Sequence, residues 1–314
     1  MKHRHLIFTL FLSLSFCVFS QTDISMATSW YNRGNYNPAS IAHTDYAYLF
    51  SNIRKQWMGI DGSPTVFNVQ ASTYSNSLKS AFGVSVVNDV IGVSTAFNPM
   101  FTYAYRLSNE PDWSFSFGLS LGFFYRTIDI TRYSPVNEND ATLYNDAESI
   151  TKPDANFGIE FQNKHFIFGA STTHLFSIHK NDSVFLNNNH RYVYAIYKNT
   201  GSDILNFYIG TQLANRANVF VWEGNTNVRF KLPTGLQNGS RELFDIGLTV
   251  RSSKQMTALF GMNITANFRI GYAYDQTFRT GYNQNGTHEL MFEYRIPVKS
   301  AECEACRDQE LWYR

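Results

Sequence analysis

Cysteine is scarce in this chain, three among 314 residues. That excludes a disulfide-stapled scaffold. Cys17 falls in an apolar leader. Cys303 and Cys306 form a lone Cys-x-x-Cys in a charged C-terminal stretch. They are a candidate disulfide in an oxidising compartment, or two free thiols. The other half of a zinc site is missing. So is the βαβ pattern that accompanies a redox motif. Charge is scarce too and nearly balanced. Lys and Arg number 26, Asp and Glu 25, and charged residues make up 16%. A nucleic-acid partner requires a basic face, so none is expected.

Long apolar runs are absent beyond the first twenty residues. None approaches the ~18 residues of a membrane helix, and the mean hydropathy is slightly negative. A helical membrane protein is excluded. A transmembrane barrel is not, because half of each strand faces a polar lumen. Assembled catalytic motifs are also absent. His43, His165, His174, His179, His190 and His288 are accompanied by no Gly-x-Ser-x-Gly or His-Glu-x-x-His spacing. His288 and Glu289 are adjacent on an expected strand, so they face opposite sides. No enzyme activity, cofactor or metal is expected.

The first twenty residues read as an export signal. Lys2, His3, Arg4 and His5 form a basic start, and an apolar run covers 6–19. Val18 and Ser20 suit cleavage before Gln21. Residues 1–20 are therefore expected to be a signal peptide, and the mature protein to leave the cytoplasm.

Aromatics are plentiful, at 16%, and they fall in a period of two. In one segment Trp113, Phe115, Phe117, Leu119, Leu121, Phe123 and Tyr125 point one way. Ser114, Ser116, Gly118, Ser120 and Gly122 point the other. The same alternation runs through Phe244–Val250, Phe268–Tyr274 and Leu290–Ile296. A soluble sandwich also alternates. The long apolar rows, aromatic ends and small or charged opposite rows favour a membrane barrel.

The expected fold is all-β, a transmembrane antiparallel barrel of about 14 strands. The spans are 45–57, 64–74, 78–88, 99–107, 113–128, 155–162, 165–173, 190–198, 203–213, 225–232, 241–251, 255–263, 266–275 and 286–296. Connections after even strands are mostly short, with 233–240 longer than the rest and 252–254 a short turn after an odd strand. Those after odd strands include 88–98, 129–154, 174–189, 214–224 and 276–285. This parity puts the N-terminus in the periplasm and the long loops outside. Barrel residues 45–296 follow a segment, 21–44, that lies in the periplasmic mouth, plugs the lumen or is a poorly ordered end. Residues 297–314 are expected to be a periplasmic tail. The inner row carries Asp245, Arg251, Arg269, Asp275, Glu289, Glu293 and Arg295. Mixed signs predict a salt-bridge network across the lumen.

One run of residues adds a family resemblance. Arg54, Gln56, Trp57, Gly59, Gly62 and Pro64 resemble the signature of the PorP/SprF proteins. Asn37, Pro38 and Ala39 resemble the family's Asn-Pro-Ala near the mature N-terminus. Asp89 and Gly92 resemble its Asp-x-x-Gly turn. Tyr272, Tyr274 and Asp275, then Gly286, His288 and Glu289, resemble its closing elements. Read on their own, Gly59, Gly62 and Pro64 are hairpin punctuation. Arg54 and Gln56 are expected inside, with Trp57 in the outer aromatic belt.

The resemblance implies a non-enzymatic protein of the cell outer membrane in Bacteroidetes type IX secretion and gliding. It would aid export or surface anchoring of a cognate secreted protein. Implied partners are outer-membrane lipid, periplasmic type IX machinery proteins and that secreted surface protein. Loops 129–154 and 174–189 are the expected contacts for the secreted protein. The alternative is an outer-membrane channel or transporter for small or hydrophobic solutes.

Overall fold

A computed structural model of the chain describes residues 26–43, 46–107, 113–129, 148–177, 188–202, 204–216, 219–234, 239–278 and 285–297. Fourteen strands make one closed sheet. They are β1 (Tyr46–Lys55), β2 (Thr65–Ser75), β3 (Ser80–Ile91), β4 (Ser94–Arg106), β5 (Trp113–Ile128), β6 (Glu148–Asn163) and β7 (Phe166–Thr173). The second half comprises β8 (His190–Asn199), β9 (Leu205–Arg216), β10 (Val219–Thr234), β11 (Gly239–Arg251), β12 (Gln255–Asn263), β13 (Phe268–Thr277) and β14 (Thr287–Pro297). Each strand pairs antiparallel with its sequence neighbours. β1 closes on β14 from Tyr46 opposite Pro297 to Lys55 opposite His288.

The burial pattern is inverted relative to a soluble protein. On β1, Ile53 is 42% exposed while its neighbour Arg54 is 3% exposed. Leu119 and Leu121 on β5 face out, and Ser116 and Ser120 face in. Large side chains such as Phe67, Phe101, Phe117, Phe168, Phe260 and Phe292 line the outside. Water does not tolerate such a continuous apolar belt, but lipid tails do. Among the described residues no helix is long and apolar enough to cross a membrane. Strands do the crossing.

Strand limits differ from the sequence expectation where the apolar alternation fades. β3 and β4 continue through 88–98, leaving only Gly92 and Val93 between them. β9 and β10 likewise leave only 217–218 of the expected connection 214–224. β6 begins at Glu148, seven residues before the expected 155. These extensions mix apolar residues such as Ile91, Phe97, Phe220 and Trp222 with Asn, Asp, Arg and Gly, so no clean alternation marks them. Backbone pairing holds them. At one point a side chain replaces a missing backbone donor. Pro99 cannot donate to the Phe123 carbonyl, and Asn98 Nδ2 does so instead at 2.9 Å.

Candidate functional site

Residues 26–43 lie inside the barrel. They form three short 3-10 helices, Ala27–Trp30, Arg33–Asn35 and Pro38–His43. This segment is polar and lacks a period of two, so it cannot join the sheet. Its backbone turns on itself and its side chains reach the inner rows.

Three buried wall carboxylates hold it. Glu289 on β14 accepts from the backbone N–H of Ala27 (2.8 Å) and Thr28 (3.2 Å), and from the Thr28 hydroxyl. The same carboxylate accepts from Asn52 Nδ2 at 2.8 Å and pairs with Arg54 Nη1 at 3.0 Å. Asp245 on β11 accepts from the Tyr31 hydroxyl at 2.6 Å and from Asn227 Nδ2 at 2.9 Å, and pairs with Arg269. The Arg269 guanidinium also lies 4.3 Å from the Tyr31 ring centroid, a cation–π contact. Glu160 on β6 takes two bonds from Arg33, at 3.0 and 3.2 Å, and one from the Tyr194 hydroxyl. Fork-to-fork geometry of this kind is the strongest arginine–carboxylate arrangement.

The end of the segment is wedged by close packing. Gly118 on β5 and Gly158 on β6 stand opposite each other in register. Together they leave a notch in the wall, filled by Asn37, Pro38 and Ala39. Asn37 Nδ2 donates to the Ile159 carbonyl at 3.0 Å and to the Tyr194 hydroxyl at 2.7 Å, while its Oδ1 accepts from Ala39 N at 3.0 Å. Arg106 Nε donates to the Ala42 carbonyl at 2.7 Å. His43 meets Ser114 Oγ at 3.0 Å and Ser116 Oγ at 2.8 Å, with Glu160 at 3.6 Å.

Burial governs the titration of this segment. It pushes the His43 imidazole down to about 4, against the pull of Glu160 and together with the nearby Arg106 charge. His43 is therefore neutral when docked. Burial, reinforced by the Asp245 carboxylate, raises the Tyr31 phenol well above its usual range, so it stays a donor.

The charged inner row differs from the cross-lumen network expected from sequence. Arg54 pairs with Glu289 and Asp275, Arg251 with Glu223 and Asp275, and Arg269 with Asp245 and Glu293. Arg295 pairs with Glu293 on its own strand. These partners sit on the same strand or one or two strands apart. They run around one wall, from β10 through β14 to β1, because neighbouring inner rows are within side-chain reach. What spans the lumen is the N-terminal segment.

The motif residues divide between this wall and the far rim. Asn37, Pro38 and Ala39 sit in the glycine notch. Arg54, Asp275 and Glu289 form one ion cluster. Asp89 is buried on β3. Gln56 and Trp57 lie beyond the end of β1, where Trp57 adopts a positive φ of 50°. Trp57 is therefore a turn residue beyond β1, where the sequence expectation runs the strand on to 57. Gly59 and Gly62 also have positive φ, and Gln56 N donates to the Pro64 carbonyl at 2.9 Å. The loop is tied to both neighbours. Met58 N donates to the Gly286 carbonyl and Gly92 N to the Gly62 carbonyl, at 2.9 and 2.8 Å. His288 faces outward, bonded to the Tyr272 hydroxyl at 2.6 Å with the Tyr274 ring edge-on at 5.2 Å. Cys303, Cys306 and residues 1–25 lie outside the described residues, as do most of the expected contact loops, 130–147 and 178–187.

Sequence reasoning did not single out Glu160, Arg33, Gly118 or Gly158 as a set. A signal existed for Glu160. It falls on the inner row between the outward Ile159 and Phe161, where an uncompensated carboxylate demands a partner. Among the described residues no group of three His, Cys, Asp or Glu side chains is placed to hold a metal.

The model of a family described as type IX secretion system membrane protein PorP/SprF matches residues 18–294. The chain belongs to the PorP/SprF family. The motifs from Asn37 to Glu289 all lie within the match. No curated protein matches the sequence. Among solved structures, this PorP/SprF chain is similar to the CymD monoaromatic hydrocarbon channel. The identity is 9% and the TM-score 0.50, over 89% of this chain and 95% of that one. A Pseudomonas aeruginosa FadL homologue aligns at 12% identity and TM-score 0.46, over 82% and 92% of the two chains. At these identities the likeness to CymD concerns the barrel fold alone.

Proposed function

We propose that this PorP/SprF protein is a non-enzymatic component of the outer membrane that serves type IX secretion and gliding. It aids export or surface anchoring of one cognate secreted protein, and its lumen is closed by residues 26–43. The observation that carries this reading is the seating of that segment on Glu289, Asp245 and Glu160. Family membership supports the secretion role. A barrel whose interior is tied up by its own chain serves as a scaffold better than as a conduit. Residues 1–20 act as the signal peptide, the motif residues position the segment and its rim, and residues 297–314 face periplasmic machinery proteins.

The test is deletion of the gene in cells followed by surface labelling. One exported protein should disappear from the surface and return on complementation. Crosslinking in native membranes should recover periplasmic machinery proteins with the barrel. A small-solute channel instead predicts uptake by liposomes containing the purified protein alone, with surface display unchanged in the deletion strain.

A further inference from the structure

The barrel wall is not of even height. At the end remote from the chain termini, β3, β4, β5 and β6 rise together, with Ile91 opposite Ser94, Ser94 opposite Ile128 and Ile128 opposite Glu148. β7 is shorter. Its pairing with β6 stops at Phe157 opposite Thr172, and the chain leaves the sheet at His174, whose φ is 56°. Above Phe157, β6 is paired, among the described residues, on its β5 side only.

The register shows which groups the free edge presents. Leu107 N bonds the Phe115 carbonyl and Asp129 N bonds the Val93 carbonyl, so odd residues of β5 bond to β4. Even residues of β5 then bond to β6, whose partners are also even-numbered. The odd residues of β6 point the other way. Lys198 N bonds the His165 carbonyl, which places odd β7 residues on β8 and even ones on β6, in agreement. Ser149, Thr151, Pro153 and Ala155 therefore aim their backbone groups away from β5, where no described residue pairs with them. Ala155 N is capped by Asp154 Oδ1 at 2.8 Å. Pro153 has no N–H. Among the described residues nothing bonds the two donors, Ser149 and Thr151, or the carbonyls of 149, 151 and 153.

This edge cannot sit in hydrocarbon, where unsatisfied backbone groups are prohibitive. The outward row agrees. It changes from Phe161, Ile159 and Phe157 to Ala155, Pro153, Thr151 and Ser149 as the strand rises. Ser149, Thr151 and Pro153 are exposed. The edge thus stands above the lipid, on the outer side by the orientation adopted above. Its side chains are small and offer no apolar pocket, so recognition there rests on main-chain bonds. The chemistry fits an extended polypeptide segment that adds as a strand.

We propose that the Ser149–Pro153 edge of β6 is a strand-addition site for an extended segment of the exported partner protein. The proposal rests on the export reading above and assigns it a contact. In intact cells a photo-crosslinking residue replaces Ser149 in the full chain, in three backgrounds. With Thr151 unchanged, a polypeptide adduct should form on the surface-displayed partner identified by the deletion strain. Thr151→Ala keeps the N–H and should keep the adduct. Thr151→Pro removes the N–H without touching a β5 bond and should lower the yield about tenfold, the effect of one main-chain hydrogen bond. Barrel folding is checked for each by heat-modifiable gel mobility. If Thr151→Pro does not fold, hydrogen exchange at the Thr151 amide of the unsubstituted chain replaces it. That amide should be protected in native membranes and exchange freely once the barrel is purified.

Equal loss in Thr151→Ala and Thr151→Pro overturns strand addition in favour of a side-chain contact. No adduct, while display of the partner still depends on the gene, overturns the edge site and leaves the export reading standing. Display independent of the gene overturns the export reading itself.

Discussion

Asn37 packs directly against the bare Cα of Gly158. A methyl group on that glycine would stand 2.9 Å from Asn37 Cγ and closer still to its Oδ1. The contact explains why an Asn-Pro-Ala run and an inner-row glycine, far apart in sequence, work together. Gly158→Ala should leave the barrel closed and lift the 37–39 turn out of its notch. The expected cost is about 1–3 kcal/mol. Limited proteolysis of the folded protein should then cut within residues 26–43, which the unaltered protein resists.

Glu289 joins the segment to the wall. Glu289→Gln keeps the shape but removes the charge that faces Arg54 and the Ala27 and Thr28 amides. Breaking a buried pair of this kind costs about 3–5 kcal/mol. Glu293 pairs with Arg269 and Arg295 on the wall. Glu293→Gln should therefore destabilise the barrel without freeing the segment. Denaturation midpoints in detergent, read beside proteolysis of residues 26–43, separate the two variants.

His43 makes the docking pH-dependent. Its pKa is about 4 when docked, below the ordinary 6.5. Between these values the released segment binds a proton that the docked one does not. Docking is at full strength above pH 6.5 and weakens as pH falls from 6.5 to 4, by on the order of 3 kcal/mol in total. Hydrogen exchange of the 38–43 amides should quicken from pH 7.5 to pH 5, after correction for intrinsic rates. His43→Asn should flatten that dependence.

The strands were legible wherever the outer row meets lipid. Trp113 to Tyr125 alternates because every second position must be apolar. The same reasoning fails above the lipid. Most of 88–98 and 214–224 is in strands, but Asn, Asp, Arg and Gly interrupt the apolar residues there, so no clean alternation marks them. The segment 26–43 was legible as polar and aperiodic, not as a lumen ligand. Its anchors Glu160, Asp245 and Glu289 lie on three different strands, and only closure of the barrel brings them to one interior. The mixed charges of β11, β13 and β14 indicated pairing but not its direction. Neighbouring inner rows were close enough to satisfy one another along the wall.

Planar-bilayer conductance of the intact mature chain tests the closed lumen most directly. With residues 26–43 seated on their three acids, insertion should give no stable open-pore current at neutral pH. Large, steady ohmic steps from the unaltered protein would contradict a closed barrel and the scaffold role built on it.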